Sequence, residues 1–193
     1  ELHRHRQYLQ EQSIRFVPGL NEDLAATAVF GAQLAQAVPA PKHDGVVGMW
    51  YGKAPGVDRS IDAFRHGVFR GMAPNGALVA VAGDDPAPKS SIVPNDSQTL
   101  FYDLMMPTVY PADVQDIVDL GLHAFALSRL TGTAVGLKVV SEVADSAGTA
   151  TVGPGRIRPV LPTVEVDGRP YTPDFVPNRV GAGNREAERL MLA

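Results

Sequence analysis

The 193-residue chain contains no cysteine. It therefore builds no disulfide, no thiolate nucleophile, no Cys-ligated zinc and no Cys-held iron–sulfur cluster, so any such centre it works with is carried elsewhere. Also missing is an apolar run of the roughly 18–20 residues that a membrane-spanning helix needs. The longest candidates, 24–30 and 77–82, suit a short helix or a buried strand. Nor is there an excess of basic charge. Seventeen Lys and Arg against 21 Asp and Glu leave a net charge of −4, the pI is near 5.7, and the dispersed basic residues exclude a nucleic-acid footprint. The opening ELHRHRQYLQ has neither a signal-peptide hydrophobic region nor an initiator Met. The expectation is a cytoplasmic piece of something longer.

What is present is ordinary globular composition, 45% apolar and 20% charged. That is enough for one domain with a real core and excludes a disordered acidic or basic chain. Along the chain, residues 1–12 are expected to form a polar helix, and Ile14, Phe16 and Val17 a short strand closed by Pro18 and Gly19. Asn21 is an N-cap, and Glu22 and Asp23 lie in a first turn where the helix dipole favours carboxylates. The Ala-rich run to Gln36 propagates that helix, which must end by Pro39. Val46 to Trp50 read as a strand and Gly52 to Arg59 as a loop. Ser60 is expected to cap a helix carrying Ile61, Phe64, Val68 and Phe69.

Ala77 to Ala82 is a strand buried on both faces, as in a parallel sheet. A long polar loop, a helix or turn near 97–105 and a short strand at Thr108–Val109 follow. Then come the clearest helix, Asp113 to Leu130 with Gly132 just beyond, and a strand over 134–140. This alternation predicts an α/β domain over 1–147, with a mainly parallel sheet flanked by helices and active loops at the carboxyl ends of its strands. Six Gly and six Pro fall in the 36 residues 148–183, one third against a usual share of about 12%. Residues 148–193 are therefore expected to be an extended Pro/Gly-rich connector ending in a short helix over 184–192.

Several motifs fail. In 48–53 the glycines stand one residue too close for a phosphate loop, and Ala54 replaces the Mg-binding hydroxyl. Gly153-Pro-Gly155 and Gly181-Ala-Gly183 lack the third glycine of a dinucleotide fingerprint. His3 and His5 read as solvated surface, and His66 and His123 as packed or surface histidines. Asn95-Asp96-Ser97 matches a glycosylation sequon that a cytosolic protein does not use.

One constellation survives: FVPGLNEDLAATAVFGAQ at 16–33, DGVVGMWYGKAPGVDRS at 44–60 and ALVAVAGDDPAPKSSIVPNDSQ at 77–98, followed by PTVYPADVQDIVDLGLHAFALSRLTGTAVGLKVV. In this order the stretches resemble the pyrimidine-binding domain of the indolepyruvate and related 2-oxoacid:ferredoxin oxidoreductases, thiamine-diphosphate enzymes, over roughly residues 14–145. The resemblance implies the pyrimidine-binding half of a thiamine-diphosphate-binding fold. Glu22 matches the family's glutamate that hydrogen-bonds the cofactor's aminopyrimidine nitrogen. A carboxylic acid there polarises the ring so that its imino nitrogen removes the thiazolium C2 proton, and an apolar pocket would raise its pKa for that task. The competing explanation is a plain first-turn Glu serving its helix dipole, worth about 0.3–1 kcal/mol.

Tyr51 and Gly52 are expected beside the cofactor, and Lys53 and Arg59 either at the carboxylate of the 2-oxoacid or ordering the loop, against a plain solvated cationic turn, with Asp58 paired to Arg59. Ala54, where relatives commonly carry Gly, and Ile61, where they carry a small residue, are departures that bear on substrate preference. Asp84, Asp85, Ser90, Ser91 and Asp96 offer oxygen donors of the kind Mg²⁺ takes, but are expected to cap helices and make turns, so no metal site is assigned. The Gly-Asp-Gly…Asn signature for Mg²⁺ and diphosphate is absent, as is the family's upstream SGYRGSP-type strand and loop.

The resemblance thus implies half of a shared thiamine-diphosphate site, its Mg²⁺ and diphosphate half on another domain or subunit and iron–sulfur clusters only on other domains. The complete enzyme, a homo-oligomer, would oxidatively decarboxylate a 2-oxoacid to acyl-CoA and reduce ferredoxin, with the isolated chain inactive. The alternative is a non-catalytic α/β interaction or regulatory domain derived from the same fold.

Overall fold

The computed structural model describes residues 2–171. Four strands, β1 (Val47–Lys53), β2 (Ala77–Asp84), β3 (Thr108–Val109) and β4 (Val135–Val140), form one sheet in the order β1-β2-β4-β3, with every neighbouring pair parallel. Parallel strands need cover on both faces, and the alternation along β2 shows how it is supplied. Leu78, Ala80 and Ala82 face a core shared with Ala26 of α2 (Glu22–Gln33), Val57, Phe64 and Val68 of α3 (Ala54–Arg70), and Phe101 of α4 (Gln98–Asp103). Val79 and Val81 face the other side, where Ile117, Leu120, Ala124 and Phe125 of α5 (Val114–Thr131) complete a second core. The α/β fold with a parallel sheet between helices is therefore as expected.

Local chemistry explains the helix ends. The Asn21 side chain accepts from Leu24 N at 2.9 Å to open α2, and Asp113 accepts from Asp116 N to open α5. Gly132 closes α5 in the left-handed conformation at φ 71°, which costs glycine nothing. In β4, a Cβ on Gly136 would stand 2.5 Å from the Phe101 ring; its absence lets α4 lie against the sheet.

Several expectations are corrected. Arg6–Glu11 is the only helix in the N-terminal segment (α1). Residues 14–19 form no strand; no neighbouring strand receives them, and Ile14 and Val17 are exposed. The loop expected over 52–59 does not exist, because β1 runs to Lys53 and α3 starts at Ala54. Pro55 fits a first turn, where a missing N–H costs nothing. Ser60 is consequently no cap but a fully buried residue inside α3. Helix α2 stops at Gln33 and a 3₁₀ turn carries the chain over Leu34–Ala37.

The described part of the Pro/Gly-rich stretch is largely without regular structure. After the one-turn helix α6 (Ser141–Ala144), it forms a small antiparallel hairpin, β5 (Glu165–Val166) with β6 (Arg169–Pro170). Its turn residues Asp167 and Gly168 both have positive φ, 53° and 71°, the Asp-Gly pattern that matches strand twist. The stretch is strapped to α5: Gln115 exchanges two hydrogen bonds with Thr151, Arg156 pairs with Asp119, and Tyr171 Oη donates to Thr131 O at 3.2 Å. The helix expected over 184–192 lies outside the described residues.

Two buried side chains tie elements together through the backbone. Gln33 donates to Val46 O and accepts from Ala73 N. Ser128 Oγ donates to Thr133 O at 2.7 Å and accepts from Leu78 N at 2.9 Å, joining α5 to the start of β2. Ser128→Ala leaves that N–H and carbonyl buried and unpaired. Urea titration is expected to show a loss of about 1–3 kcal/mol with an unchanged denaturant slope.

Candidate functional site at the carboxyl rim of the sheet

Glu22 opens α2 beside the carboxyl end of β1. The Trp50 indole N–H donates to the Glu22 backbone carbonyl at 3.1 Å, while the ring is buried edge-on against Phe64 at 5.1 Å between centroids. A Cβ on Gly56, in the first turn of α3, would stand 2.7 Å from Glu22 Cγ, so the two helix starts approach closely only because that residue is glycine. Arg59, one turn further along, places Nε 3.4 Å from Asp23 Oδ1 and 3.9 Å from Glu22 Oε2. The side chains of Glu22 and Arg59 are 47% and 54% exposed. The described residues thus form no apolar pocket around Glu22, whose side chain is half exposed among them.

Of the other expected site residues, Gly52 lies on the Trp50 face of β1, where a Cβ would meet the indole at 2.7 Å. Tyr51 projects from the opposite face and is exposed, so it is not brought to Glu22. Lys53 is turned towards the 85–97 loop, its ammonium donating to Ser90 O at 2.7 Å and lying 3.3 Å from Ser90 Oγ. Asp58 pairs not with Arg59 but with Asn95, whose amide donates to it at 2.8 Å; Arg59 is already directed to α2. His66 lies 3.6 Å from Asp62, and His123 Nδ1 contacts Asp119 O, both on the surface. An open groove of about 390 Å³ runs between α2 and α3, from Asp23 and Arg59 to Arg70.

The carboxylates of the 85–97 loop are engaged by backbone. Asp85 accepts from Lys89 N and Ser90 N, Asp96 from Gln98 N, and Asp84 from Ser97 N. Among the described residues no group of three or more His, Asp or Glu is placed to hold a metal ion. No described helix is long and apolar enough to cross a membrane.

The residue that sequence reading missed is Lys138. Its side chain is 8% exposed, with Nζ 2.9 Å from Asp96 Oδ1 and 3.6 Å from Asp84 Oδ2, and 4.9 Å from the centre of the Tyr110 ring. A lone lysine in the apolar run VGLKVV was the available signal. Burial pushes the Asp84 carboxyl up against the lowering effect of the Ser97 hydrogen bond and Lys138. The Lys138 hydrogen bond holds Asp96 below the usual range. For Lys138 itself, burial favours the neutral form, but Asp96 and Asp84 outweigh it and the pKa is raised.

A four-stranded parallel sheet with helices on both faces and a carboxylate at a helix start on its carboxyl rim is consistent with the pyrimidine-binding half of a thiamine-diphosphate-type fold. Comparison with known proteins agrees with the lineage read from the motifs. The chain is similar to the indolepyruvate oxidoreductase subunit IorA of Methanothermobacter thermautotrophicus, 26% identical over 165 residues, which are 78% of this chain and 26% of that protein. It is also similar to the IorA subunit of Pyrococcus abyssi, 28% identical over 135 residues, or 69% of this chain and 19% of that protein. The chain spans about a quarter or less of the length of these IorA subunits. No protein-family model matches it.

Asp85, Asp96 and Glu142 all have lowered pKa values, the first chiefly through the Ser90 backbone N–H, the second through Lys138, and the third through its own backbone N–H and Lys89. Folded values below unfolded ones mean the unfolded chain binds more protons as pH falls. Their stabilisation is therefore full above the ordinary carboxylate pKa of about 4 and is lost as pH drops through the folded values. Urea midpoints followed downward from pH 6 are expected to decline across that window, and Asp96→Asn to decline less steeply than wild type.

Proposed function

We propose that this chain supplies the glutamate that activates thiamine diphosphate in an indolepyruvate-type 2-oxoacid:ferredoxin oxidoreductase. The observation that carries the reading is Glu22 at the start of α2, on the carboxyl rim of a parallel sheet, in a chain similar over most of its length to IorA subunits. The residues present fit one half of the cofactor. The half-exposed carboxylate is reachable by a ring nitrogen; the described residues offer no cluster of acidic or histidine ligands for Mg²⁺, and its Mg²⁺ and diphosphate half belongs to another domain or subunit. When bound, the cofactor supplies the electron sink that lets the bond between the 2-oxo carbon and its carboxylate break.

Within that site, Glu22 holds the proton at the ring nitrogen, and the docked second half covers it from water. Arg59 is shared between two exposed carboxylates, an arrangement worth only about 0.2–1 kcal/mol. It is therefore easily redirected to the substrate carboxylate. Lys53 instead orders the loop through Ser90, while Tyr51 and Gly52 mark the two faces of the strand that leads into the site. Iron–sulfur clusters, ferredoxin and CoA are handled by other parts of the enzyme.

Glu22→Gln separates this reading from a plain first-turn glutamate. It keeps size and hydrogen-bonding capacity but removes the acid proton. In the assembled enzyme, exchange of the cofactor C2 proton in deuterated buffer, followed by NMR, is expected to slow by about 10²–10⁴-fold, and turnover to fall with every 2-oxoacid alike. Exchange at the wild-type rate would remove Glu22 from the role and leave the non-catalytic module as the better account.

A further inference from the structure

An ammonium inside a parallel sheet is costly unless paired, and an apolar residue of similar volume serves stability equally well or better. Lys138 therefore calls for a role beyond packing. Its three partners come from three segments: Asp84 ends β2, Tyr110 follows β3, and Asp96 closes the 85–97 loop. Next to Asp96, Asn95 donates to Asp58 in the first turns of α3. Next to Asp58, Arg59 reaches Asp23 and Glu22. A chain of short contacts thus connects the centre of the sheet to the start of α2. The middle of the loop is held separately, by Lys53 at Ser90 and by Lys89 at Glu142, 3.2 Å away.

We propose that Lys138 is a positioning residue for the Glu22 site: by fixing Asp96 it sets the end of the 85–97 loop, and through Asn95 and Asp58 the place of Arg59 beside Glu22. The functional half of this proposal rests on the reading of Glu22 given above. The latch closes from a surface-accessible partner, since the Asp96 side chain is 56% exposed while Lys138 is 8% exposed. The loop end can therefore release without opening the core, whereas Asp84 stays with the lysine on the inside.

The test uses the full chain with Lys138→Met, Lys138→Arg and Asp96→Asn, read by amide hydrogen exchange and by the Arg59 side-chain Nε–Hε NMR signal. Arg65, paired with Asp103, is the internal control. In the Met and Asn variants, the amides of Ser97 and Gln98, which donate to Asp84 and Asp96, are expected to exchange at least about tenfold faster while those of β2 and β4 keep their protection. The Arg59 signal should shift and that of Arg65 stay, and Lys138→Arg should restore part of both. Should Lys138→Met fail to fold, Asp96→Asn decides, because it leaves the buried ammonium beside Asp84. Unchanged exchange at Ser97 and Gln98, or a loosened loop end with an unmoved Arg59 signal, overturns the proposal. If loop and Arg59 respond but Glu22→Gln leaves C2 exchange untouched, the latch is supported and it is the Glu22 reading that falls.

Discussion

The Trp50 indole meets two demands at once. Its ring is buried against Phe64 in the core between the sheet and the α2–α3 pair, while its N–H is spent on the Glu22 backbone carbonyl. A buried indole needs such a partner, and here the partner is the first residue of α2. Small residues make the arrangement possible: Ala80 and Ala82 line the same face of β2, Gly52 leaves room over the ring and Gly56 lets α3 close on Glu22. The start of α2, and with it the candidate site, is therefore placed by core packing rather than by contacts within the site.

Most of the architecture is legible in the sequence because it rests on local signals. The Asn21 and Asp113 caps and the apolar run of β2 each name an element from a few residues, and all appear where expected. What the sequence does not show depends on neighbours. Ile14 to Val17 has strand-forming side chains, yet a strand exists only when something pairs with it. Pro55 and Gly56 look like a loop in isolation, but Pro suits a first helical turn, and Gly56 is required by the approach of Glu22. The hairpin at 165–170 did announce itself through Asp167-Gly168, a turn signal masked by the Gly and Pro content around it.

The site divides in the same way. Glu22, Asp23 and Arg59 are chemically suggestive residues, and the fold brings them within 4 Å of one another. Their environment is another matter: the expected apolar pocket needs surface that the described residues do not provide. Tyr51 was out of reach for a simpler reason, since one residue along a strand reverses the face. Lys138 escaped because an isolated lysine looks polar and peripheral until the strand that carries it is seen to be buried throughout.

The outer position of β1 has a practical side. Its far edge is unpaired within the described sheet, and Val47, Met49 and Tyr51 stand about half exposed on the face that α5 leaves bare. No proline or bulge interrupts this seven-residue strand, and its one charge, Lys53, comes at the very end and is engaged by Ser90. Such an edge is a template for pairing with another chain. Among the described residues this strand thus offers an exposed apolar border, and Met49→Lys would place a charge on it without touching the core.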